Sequence, residues 1–92
     1  MIYFVELTQE AENEIDAHLL AGNLKIIKKI YRLLSELAIH PKTGTGKPKQ
    51  LKYGSGGIWS RRIDEKHRML YKIEDETITV FVIALWGHYD DK

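Results

Sequence analysis

The stretch TITVFVIALW, residues 77–86, constrains the fold more than any other part of the chain, because it is almost entirely apolar. A strand with one face in water alternates apolar and polar residues, and this stretch does not. It is therefore predicted to be a strand covered on both faces in the middle of a sheet. In a chain of 92 residues with 43% apolar composition, that sheet belongs to one small domain with a single core, which we assign to residues 1–92.

Two helices are predicted between a first strand at residues 2–7 (IYFVEL) and the later strands. Thr8 is a suitable N-cap for the first helix, Gly22 can end it in a left-handed conformation, and Asn23 can cap the second. The apolar face of the first helix is expected to contain Ala11, Ile15, Ala17, Leu19 and Leu20. The second helix, residues 24–40, carries apolar residues at amphipathic spacing, namely Ile26, Ile27, Ile30, Leu33, Leu34 and Leu37.

The segment PKTGTGKPKQ, residues 41–50, contains two glycines and two prolines and is predicted to be a loop. It leads into a short strand around residues 50–53, and two longer strands follow at 58–63 and 68–73. The longer elements give the order β-α-α-β-β-β. The predicted fold class is α+β, an N-terminal helical hairpin packed on a mainly antiparallel sheet.

Charge is distributed very unevenly along the chain, although the net charge is only +1. Residues 1–24 hold five acids and no lysine or arginine, and residues 73–92 hold five acids and one lysine. Residues 25–72 hold thirteen lysines and arginines against three acids. This cationic middle indicates a polyanionic partner, although the lysines of the second helix, taken alone, are also consistent with an ordinary solvated face.

Several classes of protein are disfavoured. The chain has no cysteine, which excludes disulfides and thiolate metal sites and fits a reducing cytoplasm. The N-terminus resembles no export signal, and no stretch is long enough to cross a bilayer, so we expect a soluble cytoplasmic protein. The histidines at 18, 40, 67 and 88 lack the spacing of a helical metal site, and GTGKP lacks the Walker pattern, so we predict no metal and no cofactor.

Arg68, His88 and Tyr89 form a side-chain set suited to RNA cleavage. A guanidinium can stabilise a dianionic phosphorane, an imidazole can protonate a leaving oxygen at neutral pH, and a phenol can stack on a base or bind a phosphate. The ribose 2′-hydroxyl already supplies the nucleophile. We expect these three residues to meet in one open cavity on the sheet, although His88 alone would more often be structural.

Arg61, Arg62 and Arg68 lie in two neighbouring strands and cannot all be buried without partners, since an isolated buried charge costs several kcal/mol. We expect at least two of them on an open face. Arg61 and Arg62 either bind RNA or pair with Asp64 or Glu65 in the adjacent turn.

Three segments resemble the Txe/YoeB toxins of the RelE/ParE superfamily: GKPKQLK (46–52), GIWSRRIDEKHRMLY (57–71) and GHY (87–89). The resemblance implies a compact α+β microbial RNase fold. It also implies a toxin of a type II toxin–antitoxin system, an mRNA interferase that cuts mRNA in the ribosomal A site. The implied protein partner is an antitoxin of the YefM/Axe type. The implied assembly is a homodimer or a toxin–antitoxin hetero-oligomer.

By position, the resemblance assigns the transition-state arginine to Arg68, the general-acid histidine to His88 and the tyrosine that follows it to Tyr89. It also implies RNA or ribosome contacts by basic residues of these segments. The positions that we expect to bind RNA are Lys47, Lys52, Arg61, Arg62 and His67.

The chain departs from the family pattern at two places. Lys49 stands where the family has the glutamate that serves as general base, and a lysine can take that role only if its pKa lies well below about 10.4. Asp90, Asp91 and Lys92 follow the His-Tyr pair and bring negative charge close to the expected phosphate site. Two alternatives therefore stay open: a ParE-like inhibitor of gyrase, and a degenerate toxin that only binds antitoxin or RNA.

Overall fold

The computed structural model describes residues 2–51 and 57–86, which form seven helices and strands. In chain order these are β1 (Phe4–Leu7), α1 (Gln9–Leu20), α2 (Leu24–Ile39), β2 (Lys49–Gln50), β3 (Trp59–Arg62), β4 (Arg68–Glu74) and β5 (Thr79–Ala84). The α+β class and the helical hairpin are confirmed. The short strand predicted around residues 50–53 is observed as β2, which pairs with β3, so the sheet has one strand more than the order β-α-α-β-β-β contains.

The strands form one sheet in the order β1-β5-β4-β3-β2. Only β1 and β5 pair in parallel, and the other described pairs are antiparallel. A parallel neighbour needs a crossover connection, and here the helical hairpin provides it between β1 and the later strands. The apolar stretch at 77–86 therefore becomes β5, which lies between β1 and β4 as predicted.

The main core lies between the helical hairpin and one face of the sheet. Both helices contribute an apolar stripe, and the strands contribute alternate residues. The buried members are Ala11, Ile15, Ile27, Ile30, Leu33, Leu37, Ile63, Met69, Tyr71, Val80, Val82 and Leu85. A smaller cluster of Leu51, Leu70 and Ala84, with Ile58 against it, lies apart from this core.

The apolar face predicted for α1 is partly wrong. Ala11 and Ile15 are buried, but Leu19 is 47% exposed, Leu20 is 90% exposed, and His18 is completely buried. Residues 11, 15 and 18 follow the i, i+4, i+7 spacing of one helical face, whereas 19 and 20 are rotated away from it. His18 therefore occupies a core position, as its place on this helical face requires.

The signals at the helix ends are confirmed with one exception. The Thr8 side chain accepts a hydrogen bond from the Ala11 N–H, and Gly22 has a φ of +73° just beyond α1. Asn23 precedes α2 but makes no side-chain capping bond; its amide instead lies 3.1 Å from Nδ1 of His18. Neither helix is long and apolar enough to cross a bilayer.

Candidate nucleic-acid interface

A small pocket of about 100 Å³ collects basic side chains on the sheet face that points away from the helices. Its described lining comprises Gly46, Lys47, Lys49, Ser60, Arg62 and Arg68. Four of the residues predicted from the sequence, Lys47, Lys49, Arg62 and Arg68, therefore share one site. The concentration of positive charge makes it suitable for a phosphodiester.

Strand register explains why these side chains meet. Arg62 pairs with Arg68, and Ser60 pairs with both Lys49 and Leu70, so that three neighbouring strands present them side by side. Directly opposed residues of an antiparallel pair lie on the same face of the sheet. The face that holds the two arginines is thus the one on which Leu70 packs with the smaller apolar cluster.

Arg68 is held by the turn that precedes it. Its guanidinium donates hydrogen bonds to the carbonyl oxygens of Asp64 at 3.0 Å and His67 at 3.3 Å, and the side chain is half-buried. These two bonds use one nitrogen, Nη1, and a guanidinium has five N–H donors in all. Within the described part of the chain, these bonds fix the arginine and leave its other donors for a ligand.

The same turn is organised by the Asp64 carboxylate. It accepts hydrogen bonds from the N–H groups of Lys66 at 2.8 Å and His67 at 2.6 Å, and it lies 2.9 Å from Nδ1 of His67. Burial alone would raise the pKa of Asp64, but the hydrogen bonds from His67 and Lys66 outweigh it and lower the pKa. The carboxylate therefore remains ionised and keeps the turn closed at neutral pH.

Arg61 does not belong to the open face, and its prediction as an RNA-binding residue is wrong. It is completely buried, and its guanidinium donates to Glu36, to the Tyr71 hydroxyl and to main-chain oxygens of the 41–50 loop region. Those oxygens are Thr43 O at 2.6 Å, Thr45 O at 3.3 Å and His40 O. The alternative pairing with Asp64 or Glu65 is also wrong, since its acidic partner is Glu36 at 3.0 Å.

This buried arginine fixes the loop that carries Lys47 and Lys49. Glu36 also accepts the Thr45 N–H at 2.8 Å, and Tyr71 donates from its hydroxyl to the Pro41 carbonyl at 2.7 Å. Burial would raise the pKa of Glu36, but the bonds from Thr45 and the charge of Arg61 lower it. One arginine, one carboxylate and one phenol therefore make five hydrogen bonds to the main chain of four residues between His40 and Thr45.

Gly46 has no room for a side chain. Its φ is +87°, and a Cβ built on it would lie 2.8 Å from the Arg62 carbonyl oxygen. The Gly46 carbonyl in turn accepts the Arg62 N–H at 2.6 Å. The absence of a Cβ therefore allows the loop to pack directly on β3 beside the pocket.

His67 was predicted to contact RNA, but it does not line the basic pocket. It packs edge-on against Trp86 with ring centroids 5.3 Å apart, next to Asp64. Lys49 is exposed at the pocket, so burial does not assist it as a general base. Lys52, His88 and Tyr89 lie outside the described residues, and their meeting with Arg68 stays a prediction.

Sequence reasoning missed Glu36 and Ser60. Glu36 is the single acid between residues 25 and 63, and a lone carboxylate on a cationic helix is a signal for an internal partner. Ser60 is buried next to Arg62, and only the strand register reveals that it lies under the pocket.

A larger open groove of about 610 Å³ lies elsewhere, between the α1–α2 connection and the start of the β3–β4 turn. Its lining is mostly apolar and main-chain surface with Lys25, Lys29 and Asp64 at its sides. None of the residues predicted to bind or cleave RNA lines it. The smaller basic pocket is therefore the better candidate site.

Comparison with known proteins agrees with these features. The profile of a family described as "YoeB-like toxin of bacterial type II toxin-antitoxin system" matches residues 8–89. A protein named Toxin YoeB from Streptomyces coelicolor is 41% identical over 63 residues, which cover 68% of this chain and 75% of the relative.

Solved structures share the whole fold. A YoeB/ParE toxin from Agrobacterium tumefaciens superposes with a TM-score of 0.84 at 28% identity, covering 94% of this chain and 99% of the other. A chain of a YoeB–YefM complex from Staphylococcus aureus superposes with a TM-score of 0.78 at 28% identity, covering 97% of this chain and 100% of the other. A YoeB dimer from the same organism gives a TM-score of 0.81.

Proposed function

The chain belongs to the YoeB-like toxins of bacterial type II toxin–antitoxin systems, and from this premise we propose that it is an mRNA interferase, a ribosome-dependent endoribonuclease that arrests translation. The observation that carries the proposal is the basic pocket, in which Lys47, Lys49, Arg62 and Arg68 surround a space of about 100 Å³. An mRNA held in the ribosomal A site is the proposed substrate, which places the action in the cytoplasm.

The proposed reaction is a transesterification within the RNA. The ribose 2′-oxygen attacks the adjacent phosphorus while its proton passes to a base, and the bond from phosphorus to the 5′-oxygen breaks. His88 donates the proton that the leaving 5′-oxygen takes up. The products are a 2′,3′-cyclic phosphate and a free 5′-hydroxyl, so that atoms and protons balance without a cofactor.

Arg68 is proposed to bind the phosphorane dianion, since its guanidinium is fixed by the turn and keeps donors free. Tyr89 is proposed to hold the base or phosphate beside His88. Lys47, Lys52 and Arg62 are proposed to bind the flanking phosphates, which fixes register without reading sequence. Arg61 has no place in this set, because its donors are used inside the protein.

Lys49 is proposed as the proton acceptor, and substitution can distinguish that role from plain phosphate binding. As an acceptor it must be deprotonated, so Lys49→Ala should lower the cleavage rate and Lys49→Glu should retain cleavage with its pH optimum moved to lower pH. As a phosphate ligand, Lys49→Glu should be the more damaging change, because it adds repulsion. The rate against pH for the three proteins decides between the roles.

We propose that an antitoxin of the YefM/Axe type binds this toxin in the cell. The Staphylococcus aureus relative forms a complex with YefM, and a dimer of that toxin is also known. We propose that this chain likewise forms a toxin–antitoxin hetero-oligomer or a homodimer.

Primer extension on ribosome-engaged mRNA tests the function. The native chain should produce discrete cleavage ends, Arg68→Ala and His88→Ala should not, and Lys72→Ala should behave as the native chain. Lys72 is a suitable control because it is an exposed cation of β4 that does not line the pocket. Identical intact messages from native chain and variants would refute the enzymatic proposal, and inhibition of gyrase in place of cleavage would favour the ParE-like function.

A further inference from the structure

A carboxylate of α1 holds the end of β5. Oε1 of Glu14 accepts hydrogen bonds from the main-chain N–H groups of Leu85 at 2.7 Å and Trp86 at 3.3 Å. These are the last two residues of the described chain, just beyond the strand. A charged acceptor makes such bonds stronger than neutral ones, so the point where the chain leaves the sheet is firmly set.

His18, one helical turn after Glu14, holds the Trp86 side chain. Its ring stacks on the indole with centroids 4.0 Å apart and planes 21° apart, and it is completely buried. The Asn23 amide lies 3.1 Å from its Nδ1, and the main chain of Leu85 acts on the ring as a hydrogen-bond partner. The imidazole therefore contacts both the start of α2 and the end of β5, and an apolar ring of the same size could not make these polar contacts.

The same rings reach the turn that carries Arg68. His67 packs edge-on against His18 at 5.1 Å and against Trp86 at 5.3 Å, and it is hydrogen-bonded to Asp64. The next residue is Arg68, whose guanidinium donates to the carbonyls of these two residues. We call Glu14, His18, His67 and Trp86 the α1 clamp; it joins α1, the end of β5 and the β3–β4 turn.

We propose that Glu14 and His18 are positioning residues for the cleavage reaction: they hold the end of β5 against the turn that precedes Arg68 and so fix the place of its guanidinium. The inference rests on the proposed function, in which Arg68 binds the phosphorane. A catalytic group misplaced by about 1 Å can lose two orders of magnitude in rate. The α1 clamp would thus act through Arg68 without touching RNA.

Electrostatics agree with this role. Burial lowers the pKa of His18, the nearby His67 lowers it further, and the Leu85 main chain, Asp64 and Glu14 oppose the change. The ring is therefore neutral at neutral pH, which favours stacking on the indole. In acid, protonation would place a buried positive charge on the ring and weaken the clamp.

Glu14→Ala and Glu14→Gln separate positioning from plain stability. Alanine removes the acceptor for both N–H groups, whereas glutamine keeps a carbonyl oxygen at the same place. We expect Glu14→Ala to lower kcat about tenfold to a hundredfold with KM for programmed ribosomes unchanged, and Glu14→Gln to restore most of the rate. Asp16→Ala is the matched control, an exposed acid on the same helix that should leave kcat as in the native chain.

A second readout does not depend on cleavage. In the folded full-length chain, NMR signals of the His67 imidazole and the Arg68 guanidinium should shift in Glu14→Ala and return in Glu14→Gln. If the signals and kcat of Glu14→Ala match those of the native chain while Arg68→Ala is inactive, the inference is overturned and the proposed function stands. If the native chain itself does not cleave, the proposed function fails, and unshifted signals would overturn the clamp as well.

Discussion

Replacing Arg61 with alanine should destabilise the protein more than replacing any of the pocket arginines. Arg61 is completely buried and donates to Glu36, to the Tyr71 hydroxyl and to the main-chain oxygens of His40, Thr43 and Thr45. Alanine would leave a carboxylate and several carbonyl groups without these partners. The loop would then have to open toward water or keep unpaired polar groups.

The size of the effect follows from the cost of leaving a buried ion pair half complete. Removing one partner of such a pair costs about 3–5 kcal/mol, and each unsatisfied buried acceptor costs about 1–3 kcal/mol when it cannot reach water. The loop is near the surface, so some of its carbonyl groups can reach water, and the two costs do not add in full. We therefore expect a total loss of about 3–5 kcal/mol in the free energy of unfolding. A domain of this size has about 5–15 kcal/mol in all.

Urea unfolding at 25 °C measures this loss. Placing each variant in an Arg68→Ala background should allow the chain to be produced without antitoxin. Arg61→Lys keeps the charge but not the five donors, so it should lose about 2 kcal/mol, less than alanine. Arg62→Ala is the matched control, an exposed neighbour whose effect should be within about 0.5 kcal/mol.

A loss of less than about 1 kcal/mol for Arg61→Ala, or one no larger than that for Arg62→Ala, would refute the argument. It would mean that the loop is held by other contacts and that the buried guanidinium contributes little. The double-mutant cycle with Glu36→Gln adds a second check, because residues in one such network should show a coupling of about 0.5–3 kcal/mol.

Three further predictions concern the loop, the α1 clamp and the pocket. Gly46→Ala should lower the free energy of unfolding by more than about 1 kcal/mol, since φ is +87° and the new Cβ would lie 2.8 Å from Arg62 O; an unchanged urea midpoint would contradict this. His18 has its pKa lowered from 6.5 by folding, so it takes up protons more readily in the unfolded chain. Stability should therefore be full above pH 6.5 and fall as the pH drops toward the folded pKa, and urea titrations should show this fall weakened in His18→Phe. Lys47→Ala and Arg62→Ala should each reduce the slope of log affinity for single-stranded RNA against log salt by about 0.7, and an unchanged slope in anisotropy titrations would show that the residue binds no phosphate.

Most of the fold could be predicted from the sequence, because its signals are local. Spacing places α2 within one residue of its observed end, Thr8 caps α1, and the apolar run at 77–86 becomes an interior strand. Strand bounds were less predictable: the short strand expected around residues 50–53 is observed at Lys49–Gln50, and a two-residue strand exists only through its pairing with β3. The local sequence pattern does not show which strands pair.

The error over Arg61 was avoidable from alternation alone. Trp59 and Ile63 are large apolar residues of the strand predicted at 58–63, and side chains of a strand alternate between faces, so the residue midway between them had to point the same way. We instead expected Arg61 to be exposed because it is charged, although the alternation placed it on the core face. What the sequence could not provide was the partner: Glu36 lies 25 residues away, and only the packing of α2 on the sheet brings it within 3.0 Å.

The basic residues of segment 25–72 thus have two roles, and the alternation of side chains along the strands determines which residue has which role. On β3, Arg61 points inward and fixes the loop from His40 to Thr45, whereas Arg62 points outward into the pocket that the same loop borders. Just before β4, His67 packs within the α1 clamp, whereas Arg68, the first residue of β4, lines the pocket. In each pair an inward residue orders the segment that its outward neighbour needs. Cations gathered around one small pocket repel one another, and the rigid main chain that carries them determines where they lie.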